Sequence, residues 1–398
     1  MAIFSTARRL VPLLASQVLL SLVAAGCESS PGGTSYITRS VAVVDLDGTG
    51  RLAVLSANEA SPQSQSFLVA RIRESTTQAI FRAPVRSATG LTPVAMAAGD
   101  LDGDGLVDVA VADQAASNGN HFVDVQFQVA GSPGSFSAPV ELALGVLEPH
   151  GLALADLDGD AKLDIAVAAS GTSTVQVFYQ GAVAGSFGPA TGYAVGGEST
   201  AVATADLIGS GRPDLVVATA NGKVSVLLHG SSPGTFLPGV EYPAGTSPAA
   251  VQVGDLNGDG HPDILVADYL GALVVLLQSP AGDGTFQAAV SQGTRTPGSC
   301  SLAVGDLDDD GLPDVVVANA GPPGDPGSVS VFLQDPATPG ALEPAVLYRG
   351  YWGPLWVAIG DLDGDGSPDL VVADGSPYIR YQDPTTPGAF LPPTWLIQ

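Results

Sequence analysis

The sequence predicts an all-β fold, a seven-bladed β-propeller of four-stranded antiparallel blades, and three observations carry that expectation. The first is composition: of 398 residues 45% are hydrophobic and 14% charged, enough to bury a large core, while 50 Gly and 31 Pro are too many for a helical protein. Beyond the N-terminus no stretch sustains apolar residues at helical spacing. The second is a repeat: one Asp-rich motif begins at Asp45, Asp100, Asp156, Asp206, Asp255, Asp306 and Asp361, at intervals of 49 to 56 residues, about the length of a four-stranded blade with its loops. The third is that every repeat carries the same succession of short apolar runs and turns.

The chain divides into three parts. Residues 1–26 read as an export signal: Arg8 and Arg9 supply the positive charge, and Leu10 to Val23 is apolar but interrupted by Pro12, Ser16, Gln17 and Ser21, too short and polar to span a membrane well. The signal ends in Val23-Ala24-Ala25-Gly26-Cys27, which resembles the bacterial lipobox and implies that Cys27 becomes a lipidated N-terminus. An ordinary signal peptide with an incidental cysteine is the competing reading. Residues 27–39 include Ser29-Ser30-Pro31-Gly32-Gly33-Thr34-Ser35, a flexible tether. Residues 40–398 hold the propeller. The chain is expected to be an exported lipoprotein of the cell envelope, in the outer membrane or at the cell surface, meeting the membrane through its lipid alone. With Cys27 lipidated, Cys300 is the remaining thiol, a buried strand residue with no partner for a disulfide.

Within each unit an apolar run leads into the motif, as Val251-Gln252-Val253-Gly254 does before Asp255, and forms the first strand. After it come Asp263-Ile-Leu-Val-Ala, Asp314-Val-Val-Val-Ala and Asp369-Leu-Val-Val-Ala, runs with no polar face that suit a strand covered on both sides. A third run alternates, as in Lys223-Val-Ser-Val-Leu-Leu228, and a Pro/Gly turn follows. The fourth strand is expected to open with Phe81, Phe136, Phe187, Phe236, Phe286, Leu342 or Phe390, the aromatics wedging between blades. A blade cannot bury both faces alone, so blades stack until a ring closes. Both termini supply complete blades, so strand exchange is not required; an open solenoid is the alternative.

The motif itself predicts metal sites. With its positions numbered one to nine, Asp100, Asp102, Asp104 and Asp108 stand at one, three, five and nine, and the carbonyl of Leu106 at seven completes an oxygen set around the bend that Gly105 permits. The corresponding sets are Asp156, Asp158, Asp160, Lys162 and Asp164; Asp255, Asn257, Asp259, His261 and Asp263; Asp306, Asp308, Asp310, Leu312 and Asp314; and Asp361, Asp363, Asp365, Ser367 and Asp369. Hard oxygen ligands in this number favour Ca²⁺ over Mg²⁺. Two carboxylates about 4 Å apart repel by about 1 kcal/mol in water and about 4 kcal/mol at an effective dielectric of about 20, so such clusters call for a dication. The expectation is about five Ca²⁺ sites. The third unit carries Ala161 where Gly belongs; the first has Thr49 and Ala53, and the fourth Ile208 and Ser210, at ligand positions, so these last two are expected to be empty. Asp-Gly turns alone are the competing explanation, but they do not account for an Asp at position nine in six of seven units.

Through these Asp-Leu-Asp-Gly-Asp-Gly-x-x-Asp loops and Phe-containing strands, residues 40–398 resemble the FG-GAP/VCBS repeat family and, through it, the N-terminal propeller of integrin α subunits. The resemblance implies fold and metal, not ligand. Only Phe187-Gly188 keeps the Phe-Gly pair, and segments such as Ala112-Asp113-Gln114 replace the family's Gly-Ala-Pro element, so integrin-type recognition is not carried over.

A net charge of -26 with no basic cluster excludes nucleic acid as a partner. The histidines His121, His150, His229 and His261 lack metal spacing, and no nucleophile elbow, phosphate loop or zinc-protease helix is found. The functional expectation is a monomeric binding, adhesion or scaffolding module for an unidentified protein or carbohydrate, and not an enzyme. The alternative is a polysaccharide-active, lyase-like enzyme on a calcium-loaded propeller; it needs a convergent Arg or Lys with a Tyr or His, and Arg71, Arg73, Arg86, Arg295 and Arg349 are scattered in sequence. The face opposite the metal loops is the expected ligand face, with His121, His150, Tyr269, Tyr351 and Trp352 in or near its loops; packing within blade 7 is the plainer role for Trp352 and Trp356.

Overall fold

The computed structural model describes residues 36–60, 66–75, 80–90, 92–114 and 120–396. The export signal, Cys27 and the tether up to residue 35 lie outside the described residues. All the regular structure within them is strand. Blade 1 is built from β1 (Tyr36–Asp45), β2 (Leu52–Ala60), β3 (Phe67–Ile72) and β4 (Val85–Ala88), and blade 2 from β5 (Pro93–Gly99), β6 (Asp108–Asp113), β7 (His121–Gln126) and β8 (Val140–Gly145). Blade 3 comprises β9 (Glu148–Ala155), β10 (Asp164–Ser170), β11 (Thr174–Phe178) and β12 (Thr191–Ala194); blade 4 comprises β13 (Ser199–Ala205), β14 (Asp214–Thr219), β15 (Lys223–Leu227) and β16 (Val240–Pro243). Blade 5 follows with β17 (Pro248–Gly254), β18 (Asp263–Asp268), β19 (Ala272–Leu276) and β20 (Val290–Gly293), and blade 6 with β21 (Ser299–Gly305), β22 (Asp314–Asn319), β23 (Ser328–Phe332) and β24 (Val346–Arg349). β25 (Trp356–Gly360), β26 (Asp369–Asp374), β27 (Ser376–Arg380) and β28 (Thr394–Trp395) make blade 7.

Each sheet is an antiparallel meander in sequence order, so no strand is exchanged between the termini. The inner strands pack in a ring, β1 on β5, β5 on β9, and onward to β21 on β25, with β25 returning to β1. That contact rules out an open solenoid. The runs without a polar face fill the middle of the blades: β6, β14, β18, β22 and β26 are buried along their whole length. The outer strands β12, β16, β20 and β24 are mostly exposed, as an edge with one wet face requires.

Three expectations are corrected. Strand begins at Tyr36 rather than Ser40, because Thr38 donates its N–H to Gly375 O of blade 7 (3.0 Å) and so extends β1 along the closing seam. The phenylalanines do not open the fourth strands. Phe81, Phe136, Phe187, Phe236, Phe286, Leu342 and Phe390 form isolated bridges to Arg73, Gln128, Gln180, His229, Gln278, Gln334 and Gln382, and the outer strand starts a few residues later. In most units a proline intervenes, and its missing N–H interrupts the ladder. The aromatics do wedge between blades: Phe236, Phe286 and Phe390 meet Tyr193, Tyr242 and Tyr348 of the preceding blade edge-on, at 5.0, 5.4 and 5.6 Å between ring centres. Cys300 is buried in β21 as expected, but it is not a lone thiol. It is disulfide-bonded.

Candidate metal centres

The motif occupies the turn between the first and second strand of each blade, and its geometry begins with position one. Asp100 accepts N–H bonds from Gly103 (2.7 Å) and Asp104 (3.1 Å) on Oδ1 and from Gly105 (2.9 Å) on Oδ2, which winds the backbone around one carboxylate. Position six must take a positive φ. Gly105 has 85° and Gly366 94°, and Ala161 is held at 68°, a conformation that costs a residue with a Cβ. The position-five carboxylate is fixed by the position-seven N–H in all five acidic loops: Leu106 to Asp104 (2.8 Å), Lys162 to Asp160 (3.0 Å), His261 to Asp259 (2.9 Å), Leu312 to Asp310 (2.8 Å) and Ser367 to Asp365 (2.8 Å).

Position nine does something the motif spacing does not reveal. Asp108 is buried at the start of β6 and accepts Leu101 N–H (2.8 Å) and Gln128 N–H (2.7 Å), one on each oxygen. Asp164, Asp263, Asp314 and Asp369 hold the equivalent pairs. So does Asp214, in the blade whose loop has lost two acidic ligands. This residue therefore ties the loop to the end of the third strand whether or not the loop keeps its full ligand set. Burial, with the neighbouring carboxylates adding to it, pushes Asp108, Asp164 and Asp369 up to about 7, and Asp263 and Asp314 to about 6, against the opposing pull of the two N–H bonds.

Acidic oxygens converge to within 4.8 Å of one another in four loops among the described residues: Asp100, Asp102 and Asp108; Asp156, Asp158 and Asp164; Asp306, Asp308 and Asp314; and Asp361, Asp363 and Asp365. Blade 5 forms no such trio, since position three is Asn257, whose Nδ2 donates to Asp259 (3.1 Å). In blade 3 the Lys162 ammonium lies on Asp160 Oδ2 (2.6 Å) and Gly181 O (3.0 Å), a cation built into position seven. The position-three carboxylates Asp102, Asp158, Asp308 and Asp363 are pushed above their ordinary range, first by burial and then by adjoining carboxylates. One observation tests whether a cation fits: Asp306 Oδ1 and Asp308 Oδ1 are shut off from solvent and have no hydrogen-bond partner. Two orphaned anionic oxygens beside Asp314 are unfavourable unless a cation shares them, and a hard-oxygen set suits Ca²⁺.

Blades 1 and 4 hold no acid trio among the described residues, and each has arginine at position seven. Arg51 pairs with Asp47, donates from Nε to Thr49 Oγ1 (2.8 Å) and from Nη1 to Glu74 O (3.1 Å). Its proximity and the Thr49 hydroxyl hold Asp47 below its ordinary pKa despite burial.

On the opposite face the five candidate ligand residues are not gathered into one group. Tyr351 and Trp352 are exposed, with 47% and 39% of their surface accessible, and lie against Trp395 at 4.9 and 5.4 Å. Buried Asp374 holds their loop through the N–H groups of Tyr351 (2.7 Å) and Trp352 (2.9 Å). Trp356 is buried. Tyr269 packs with Cys300, Leu355 and Ile37, a cluster drawn from four blades. His150 lies near His121, and burial, more than that neighbour, lowers its pKa. Two features have no role assigned from the sequence: the packing of Trp395, a fourth-strand residue of blade 7, against Tyr351 and Trp352, and the residue that follows the third strand. Five units place glutamine there, at 128, 180, 278, 334 and 382, a signal that was legible.

A family model, the FG-GAP-like repeat, matches residues 100–167, 156–217, 206–266, 255–317 and 306–372, each match running from one Asp loop through the next. The chain belongs to the FG-GAP-like repeat family. No curated protein matches it. Among solved structures, BBS1N in its complex with ARL6DN is similar at 13% identity and a TM-score of 0.58, over 92% of this chain and 99% of that one. A lactonase-like propeller from Bacteroides uniformis is similar at 13% identity and a TM-score of 0.59, over 86% and 95%. A protein from Lactobacillus plantarum matches at 16% and 0.51, over 80% and 86%. These likenesses show the fold alone. The FG-GAP-like matches start at Asp100, and blade 1, with Arg51 and Ala53 in its loop, falls outside them.

Proposed function

We propose that this FG-GAP-like propeller is a calcium-stabilised, lipid-anchored module of the cell envelope that displays its loop faces for binding, adhesion or scaffolding. The calcium half is carried by one observation, the unpartnered, solvent-excluded oxygens of Asp306 and Asp308, and family membership points the same way. When bound, Ca²⁺ supplies charge neutralisation and rigidity at the loops; Asp100, Asp102 and Asp108, their counterparts in blades 3 and 6, and Asp361, Asp363 and Asp365 in blade 7 would hold it, with Asp255, Asn257, Asp259 and Asp263 a weaker fifth set. The binding half rests on a rigid ring with exposed aromatic rings at Tyr351 and Trp352.

Metal analysis after exhaustive desalting tests the first half. Asp308→Ala with Asp310→Ala is expected to remove one Ca²⁺ per chain, and unchanged stoichiometry would end the assignment. Glycan-array binding, followed by a search for new unsaturated ends in any hit, tests the second: a bound, uncut glycan supports a binding module, and cleavage supports the enzyme reading instead. The chain has two cysteines, so a lipid thioether on Cys27 and a disulfide within the chain at Cys300 exclude each other, and the anchor is the half of the proposal that the following variant tests. Cys27→Ser is expected to move the protein out of the membrane fraction; retention there would count against the anchor.

A further inference from the structure

Blade 4 departs from its neighbours at two places that meet in space. Its loop carries Ser210 at position five, where the acidic loops have Asp, and the residue after its third strand is His229, where five blades have Gln. His229 Nδ1 lies 2.7 Å from Oδ1 of Asp214, which is fully buried, and His229 Nε2 lies 3.2 Å from Ser210 Oγ on the exposed loop. A carboxylate only accepts, so Nδ1 carries the proton and Nε2 presents its lone pair to the serine. Asp214 is held in place by Leu207 N–H (2.9 Å) and His229 N–H (2.8 Å), so the imidazole is oriented by a fixed anion.

We infer that Ser210, His229 and Asp214 form a nucleophile, base and orienting acid that make Ser210 reactive toward activated acyl esters. The arrangement is independent of the calcium and binding reading above. It has the connectivity the chemistry needs, with acid on Nδ1 and serine on Nε2. Nor does His229 simply stand in for the glutamines. Gln278 and Gln334 donate to the position-eight carbonyls of Pro262 and Pro313 (2.8 Å each) and accept Gly284 N–H (3.3 Å) and Gly340 N–H (2.9 Å). The two ring nitrogens of His229 go to Asp214 and Ser210 instead.

In the acylation step Ser210 Oγ bonds to the acyl carbon as its proton passes to Nε2; the ester C–O bond breaks, and the leaving oxygen takes that proton. Water, deprotonated by Nε2, then releases the acid and returns the proton to Ser210. Arg212 N–H, 3.2 Å from Oγ, supports the developing alkoxide. The N–H groups of Ser210 and Gly211 are already given to Asp206 (2.9 and 2.6 Å), which leaves the Arg212 guanidinium, tied to Gly230 O (2.7 Å), to face the charge on the acyl oxygen. Asp206 Oδ1, 3.2 Å from Oγ, competes for the serine proton. Both features select substrates whose leaving group needs little help. A small acyl group on an aryl alcohol fits, with exposed Ile208 at position three offering an apolar surface beside the serine.

The test is covalent labelling of the purified calcium-loaded full chain by a fluorophosphonate, with peptide mapping, together with release of nitrophenolate from nitrophenyl acetate. The expected result is one adduct per chain on Ser210, absent in Ser210→Ala and formed about 100-fold more slowly in His229→Gln. His229→Gln recreates the glutamine of the other blades, and Ser210 is exposed, so both variants are expected to keep the parent's melting temperature and calcium content. No adduct on Ser210, or a labelling rate in His229→Gln within twofold of the parent, would overturn the inference.

Discussion

Blade 6 separates two roles that the repeated motif merges. Asp308 stands at position three, its Oδ1 without a hydrogen-bond partner and its pKa raised by burial and by Asp310 and Asp306. Asp314 stands at position nine and accepts Leu307 N–H and Gln334 N–H at 2.7 Å each. Asp314→Ala orphans two buried donors at about 1 to 3 kcal/mol apiece, so the loss is about 2 to 6 kcal/mol, reduced by relief of the burial that pushes this carboxyl to about 6. That loss is present with or without calcium. Asp308→Ala removes repulsion together with the N–H bond its carboxylate accepts from Asp310 in the exposed loop, so in chelator its cost is at most about 1 kcal/mol. With calcium at about 100 times the site's Kd it forfeits up to about 2.7 kcal/mol of linkage stabilisation. Urea unfolding of parent and both variants, in chelator and in calcium, reads all of this directly. Two results would refute the reasoning: Asp308→Ala losing as much in chelator as in calcium, or Asp314→Ala costing less than about 1 kcal/mol in chelator.

Other expected outcomes follow from particular contacts. Buried Asp124 is pushed up to about 6, mainly by burial and then by Asp113, although Gly90 donates to it. Its folded pKa therefore exceeds its unfolded one, so it contributes stability below about pH 4 that is lost as pH rises through about 6. Urea midpoints of parent and Asp124→Asn should diverge in the variant's favour between about pH 4 and about pH 7, and a pH-independent difference would contradict this. Gln334→Ala leaves Pro313 O and Gly340 N–H without their partner and should cost about 1 to 3 kcal/mol by the same assay; a neutral effect would show that water replaces the side chain. Arg51→Met removes the counter-ion of Asp47. It should lower stability by no more than about 1 kcal/mol and leave calcium stoichiometry unchanged, since Ala53 supplies no carboxylate at position nine; an additional ion would show that the arginine alone keeps blade 1 empty.

The number of blades, the strand order within each and the crowding of carboxylates at one turn were all legible in the amino-acid order, because each depends on residues within one repeat of 49 to 56 positions. Periodicity and turn chemistry act at that range. Tertiary structure decided the rest. Ring closure rests on β25 meeting β1, more than three hundred positions apart. Position nine reads as a fifth ligand along the chain, and only the path of the third strand back past the loop shows that Asp108 and its counterparts also hold two backbone donors. The ligand-face candidates looked alike in sequence, yet packing left Tyr269 half-buried against a cluster drawn from four blades and Trp352 exposed against Trp395. Ser210 and His229 are nineteen positions apart and belong to different segments of blade 4. A local pattern cannot express which side chains face each other across a sheet, and that facing is what places a base beside a hydroxyl.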